Sequence, residues 1–129
     1  MIIRCILFAS VMLAAPAGAQ EKIVTKKVTA LSGQDTRVVV FGRVTPQCTN
    51  GKATIAVAQK PRNGTLTSKP AKMRAGTIPR CPALEAKVAA FFYRPKDGFS
   101  GTDQIVFVVI SDSGRVERHQ FVIDVPRVL

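Results

Sequence analysis

The sequence predicts an all-β fold: a single antiparallel β-sandwich of about seven short strands. Three observations carry this. Short β-prone runs such as Arg37–Phe41 and Phe91-Phe92-Tyr93 alternate with turn signals at Asn50-Gly51, Asn63-Gly64 and Asp112-Ser113-Gly114. No segment offers a long helical period. Two of the three cysteines, Cys48 and Cys81, lie in the body of the chain and suit one disulfide.

The elements follow in order. Met1 to Ala19 carries one cation, Arg4, then an apolar run from Cys5 to Ala15, then Pro16 and Ala17-Gly18-Ala19. This is the pattern of an export signal with its small-residue cleavage site, and the run is shorter than the about 20 residues a membrane helix needs. The expectation is a leader over 1–19 and one soluble domain over 20–129, with no membrane anchor after processing. Such a chain is exported, periplasmic or secreted, where a Cys48–Cys81 bridge is stable.

Ile23–Leu31 reads as an edge strand, with Lys26-Lys27 discouraging edge-to-edge pairing. Arg37–Phe41 is strongly β-prone. Asn50-Gly51 turns the chain into Ala53–Ala58, and Asn63-Gly64 is expected to close a hairpin before Thr65-Leu66-Thr67. Residues 59–80 hold three prolines (Pro61, Pro70, Pro79) and two glycines, and so read mostly as loop. Lys87–Arg94, Gln104–Ile110 and Val116–Val125 complete the strands. Gln104–Ile110 is apolar on both faces: Ile105, Phe107 and Val109 on one, Val106, Val108 and Ile110 on the other. The second face is therefore either covered within the chain, which is the expectation, or a contact surface. His119 shares parity with Phe121, Ile123 and Val125 and points towards the core.

From Tyr93 onwards a specific pattern emerges. Tyr93-Arg94-Pro95 is followed by Gly98-Phe99-Ser100-Gly101-Thr102-Asp103, then by the alternating Ile105, Phe107 and Val109, then by Asp112 and Gly114. Upstream stands Pro61-Arg62-Asn63-Gly64-Thr65. Over residues 60–125 the chain resembles the bacterial Ig-like, cadherin-like repeats of large surface proteins. The resemblance implies an Ig-like sandwich in which Tyr93, Pro95, Gly98, Phe99, Gly101 and Asp103 are structural. Asp103 lies one residue farther from Asp112 than in that family, which places a bulge near Ser111. The family's calcium-binding linkers have no counterpart, because Asp97, Asp103 and Asp112 stand apart and calcium needs several clustered oxygen ligands.

Catalytic signals are weak. Ser111, Asp112, Ser113 and His119 supply triad residue types without a nucleophile-elbow context. A small hydrolase using His119 is the remote alternative. One histidine and paired cysteines leave no set for metal ligation, and no cofactor is expected. The charge is the unexplained feature. Nineteen Lys+Arg against eight Asp+Glu give +11. From Arg43 to Lys96 there are eleven basic residues and one acid, Glu85. Within 59–80 lie Lys60, Arg62, Lys69, Lys72, Arg74 and Arg80 with no acid, a candidate anion-binding set. No aromatic is interleaved there, which argues against base stacking and specific nucleic-acid binding. The expected function is a non-enzymatic binding or interaction module of the periplasm or cell surface, its partner an envelope protein. The alternative is a cationic protein recognising anionic polysaccharide or lipopolysaccharide head groups.

Overall fold

The computed structural model of the chain describes Ala14 and residues 21–128. The leader expected over 1–19 lies, Ala14 apart, outside the described residues. Seven strands form: β1 (Lys22–Thr29), β2 (Thr36–Phe41), β3 (Ala53–Gln59), β4 (Gly64–Lys72), β5 (Lys87–Pro95), β6 (Gly101–Ser111) and β7 (Val116–Val125). They build a four-stranded sheet in the order β1-β7-β6-β3 and a three-stranded sheet in the order β2-β5-β4. The two sheets face each other as a β-sandwich. Phe91 and Tyr93 of one meet Ile105, Phe107, Phe121, Ile123 and Val125 of the other in one buried cluster. Phe107 is its hub, with edge-on ring contacts to Phe41, Phe91 and Phe121 at centroid distances of 5.3, 4.8 and 5.7 Å. Pairs of this geometry add about 0.5–1.5 kcal/mol each beyond their burial.

β1 is an edge strand as expected, but it runs parallel to β7, with Lys22 opposite Glu117 and Thr29 opposite Asp124. Sequence patterning gives no direction for a strand whose partner lies some ninety residues away. Alternation on β6 places Ile105 and Phe107 at zero exposure, as read. Its second face is half-buried at Val108. Val106 is buried, held in register between Gln120 and Gln59, whereas Ile110 at the strand end is 40% exposed.

Three expectations are corrected. Residues 59–80 hold more strand than the expected Thr65-Leu66-Thr67, since Gly64–Lys72, nine residues, form β4. Pro70 is accommodated because β4 is an edge strand, where one of the two backbone amide rows has no partner to lose. Asn63-Gly64 does not close a hairpin. β3 pairs with β6 and β4 with β5, so this segment carries the chain from one sheet to the other. No bulge lies near Ser111: the β6–β7 register runs unbroken from Gly101 opposite Val125 to Ile110 opposite Val116. The irregularities fall between Arg37 and Val39 and between Val57 and Gln59. The turn between β6 and β7 is closed by Gly114 N–H donating to Ser111 O and Ser111 N–H to Arg115 O.

Candidate binding surface

Two of the motif residues, Tyr93 and Asp103, meet in one buried polar node. The Asp103 carboxylate, 5% exposed, accepts the backbone N–H groups of Arg62 (3.0 Å), Asn63 (2.9 Å) and Gln104 (2.9 Å), and the Tyr93 hydroxyl (2.9 Å). Burial alone would push this carboxyl up. The four donors outweigh it, and the carboxyl titrates below the usual range. Burial, and then the hydrogen bond to and charge of Asp103, push the Tyr93 hydroxyl well above its ordinary value. The node ties the inter-sheet crossing at 62–63 to β5 and β6 at once. Gly64 is required beside it, because a Cβ there would strike the Tyr93 ring and lie 2.6 Å from Arg94 O. Phe99 packs against the core from the turn, where Gly98 and Gly101 both adopt positive φ. Pro95 closes β5 in a buried position.

The second fixed point is the bridge. Cys48 and Cys81 are bonded, with Cα atoms 5.5 Å apart. Arg80 reinforces this junction by donating to the carbonyls of Thr45 (3.0 Å), Pro46 (3.3 Å) and Val44 (3.4 Å). Its guanidinium is thus turned onto the Cys48 loop and away from the other cations of its set.

The remaining cations do not gather into one cluster. Lys60 and Arg62 precede β4, Lys69 and Lys72 lie on it, and Arg74 follows it. At about 3.4 Å per residue, β4 is roughly 27 Å long, with Lys60 and Arg62 before one end and Arg74 beyond the other. All five are exposed. The ion pairs of the described residues are Arg43–Asp112, Arg94–Asp35, Arg118–Glu21 and His119–Glu117, and none involves these five. The result is an uncompensated positive edge along β4.

Sequence reasoning missed two members of this surface, Phe92 and Arg37. Along β5, Ala89, Phe91 and Tyr93 face the core, so Phe92 faces outward. Pairing sets it between Arg37 on β2 and Thr67 on β4. The Lys69 ammonium sits 5.3 Å from the centre of its ring. An aromatic is therefore interleaved with the cations after all, supplied by β5. The signal was present in Phe91-Phe92-Tyr93, since three consecutive aromatics on a strand cannot all point inward.

The triad residue types are not joined. Ser111 Oγ meets Ser113 Oγ at 2.8 Å, while His119 Nε2 meets Glu117 Oε2 at 3.1 Å. The His119 ring packs edge-on against Phe41, with centroids 5.1 Å apart. Among the described residues no three His, Cys, Asp or Glu side chains gather to hold a metal ion, and no helix is long and apolar enough to cross a membrane.

No protein-family model matches the chain. No curated protein matches it. Among solved structures the chain is similar to one described as the solution structure of Amebosin, at 11% identity and a TM-score of 0.49, covering 83% of this chain and 99% of that one.

Proposed function

We propose that this protein is a non-enzymatic interaction module of the cell envelope, exported by its leader, that holds an anionic partner against the β4 side of the sandwich. One observation carries the reading: five exposed cations on and beside β4 have no acidic partner among the described residues. Residues 59–80 hold no acid that could balance them, so they project a positive field along this edge. The strand order supports an Ig-like reading of the fold. Counted along the chain as A to G, β2-β5-β4 corresponds to B-E-D and β3-β6-β7 to C-F-G. Such sandwiches commonly serve as interaction modules, and the sites lie in the surface they present.

A second reading, recognition of an anionic polysaccharide, is favoured by Phe92. An outward aromatic between Arg37, Lys69 and Thr67 offers an apolar platform beside cations and a hydroxyl.

The test replaces Lys69, Lys72 and Arg74 with Ser. Retention on anionic envelope material, and its salt sensitivity, should fall sharply. Stability should move by no more than about 0.5 kcal/mol for each exposed site, plus up to about 1 kcal/mol for the lost Lys69–Phe92 contact. Unchanged retention rejects the role of this edge.

A further inference from the structure

The geometry points to the outer edge of β4, from Gly64 to Ser68, as a docking site for an extended acidic peptide that adds a fourth strand to the β2-β5-β4 sheet. This rests on the interaction-module reading and names the chemistry of the partner.

The phase of the β4–β5 ladder fixes which amides are free. Just beyond the two ends of β4, Met73 N–H donates to Ala86 O (2.8 Å) and Lys96 N–H to Asn63 O (2.9 Å). In an antiparallel pair, bonded and non-bonded residues alternate. With Gly64 opposite Pro95 and Lys72 opposite Lys87, the residues bonded to β5 are Thr65, Thr67, Lys69 and Ala71. Gly64, Leu66 and Ser68 turn both N–H and C=O away from the sheet. Pro70 falls in the same outward row, where it lacks only a donor that β5 does not use. It also sets the far limit of the edge, since it offers an incoming strand an acceptor alone.

The outward row does not face open solvent on a flat surface. A cleft of about 400 Å³ lies against it, lined by the five consecutive residues Gly64–Ser68. A strand that lines a cleft with consecutive residues presents its backbone edge, not one face of alternating side chains. The opposite side and floor are Val57, Pro61 and Phe91. The cleft is open because β4's inward residues, Gly64, Leu66, Ser68 and Pro70, are mostly too small to close the sandwich against β3. β3 is itself the edge of the facing sheet.

These features select one occupant. An acyl chain would cover the apolar floor but bury unpaired amides, at about 1–3 kcal/mol each. An extended peptide satisfies the same amides and sends alternate side chains onto Val57 and Phe91. Lys60, Lys69 and Lys72 flank the edge, and residues 59–80 contain no acid. This charge selects acidic side chains at the peptide's other positions. It also opposes pairing with β4 of a second copy, which would bring the same cations together. The partner segment therefore alternates apolar and acidic residues.

The experiment uses the full oxidised chain and three synthetic peptides. One is an octapeptide alternating glutamate and valine. The second holds the same residues in two blocks. The third is the alternating peptide N-methylated on the amides of one edge, prepared in both phases. Binding is followed by titration, and amide exchange is read at Leu66 and Ser68. The alternating peptide should bind at least tenfold more tightly than the block peptide and slow exchange at both amides. One N-methylated phase should lose binding while the other retains it. Ser68→Pro removes an outward donor without touching the β5 ladder, and should weaken the alternating peptide alone. Equal binding of both unmethylated peptides without protection would show attraction by charge alone. That overturns the strand docking and leaves the anionic-partner reading standing. Retention of acidic polysaccharide with no peptide binding also overturns it. So does protection of Leu66 and Ser68 before any peptide is added, since the chain would then cover its own edge. Failure of every anionic probe removes both readings.

Discussion

Replacing Tyr93 with Phe tests whether the node at Asp103 holds the two sheets in place. The substitution keeps the ring in the core and deletes one oxygen. The lost bond is 2.9 Å long, its acceptor is a carboxylate, and Tyr93 is fully buried. A hydrogen bond to a charged group contributes about 1.5–3 kcal/mol, and the lost 3.4 Å contact with Asn63 O adds little. The expected loss is therefore about 1.5–3 kcal/mol, measured by urea unfolding of the oxidised protein at pH 7. The pH dependence has a definite sign. The folded carboxyl of Asp103 is depressed, so its stabilisation is fully present above the unfolded value of about 4 and is lost as pH falls through the folded value. With three donors left, the variant's carboxyl moves back towards the unfolded value, and its acid slope becomes shallower. The two proteins should thus converge in stability as pH is lowered from 5 towards 2. A loss under about 0.5 kcal/mol at pH 7, or a gap that stays constant with pH, would refute the assignment.

Asp103→Ala leaves three backbone N–H groups and a hydroxyl unpaired, and should cost at least about 3 kcal/mol in the same assay. Gly64→Ala forces a methyl against the Tyr93 ring and Arg94 O; thermal unfolding should show a loss of about 1–3 kcal/mol. Phe107→Ala, at zero exposure and the centre of three ring contacts, should cost about 3–5 kcal/mol, whereas Ile110→Ala at the exposed strand end should cost under about 1 kcal/mol. Thiol titration of the denatured chain should find neither Cys48 nor Cys81 free. Reduction across their separation of 33 residues should destabilise by about 3–4 kcal/mol and free the 73–86 segment before the sandwich opens.

The charge and the edge are properties of the same strand, which is why β4 carries the functional argument. Edge strands are usually blunted by lysine or proline. β4 has both, yet its proline stands at one end and its lysines flank the outward amides without covering them. Lys69 bonds to β5 through its backbone and leans over Phe92. This leaves Gly64–Ser68 open in a region where positive charge disfavours self-association and attracts acids.

Local chemistry determined much of this protein before any tertiary contact was known. Alternation and turn residues placed strands near their observed positions, and parity sent Phe107, Ile105 and Phe121 to the core, because a strand's side chains alternate whatever its partner. An even cysteine pair indicated the bridge, and the Tyr93–Asp103 pattern marked structural residues. Tertiary structure decided what depends on which strands meet. The second half of β4, beyond Thr67, was hidden because Pro70 reads as a strand breaker unless it lies on an edge, and edges exist only once sheets assemble. Asn63-Gly64 looked like a hairpin turn because a turn's residues do not reveal whether the next strand returns to the same sheet or crosses to the other. Phe92 joined the cations of β4 only through pairing, since β4 and β5 are separated by the disulfide-tied loop. The four donors on Asp103 come from three separate segments of chain, and only folding brings their N–H and O–H groups to one carboxylate.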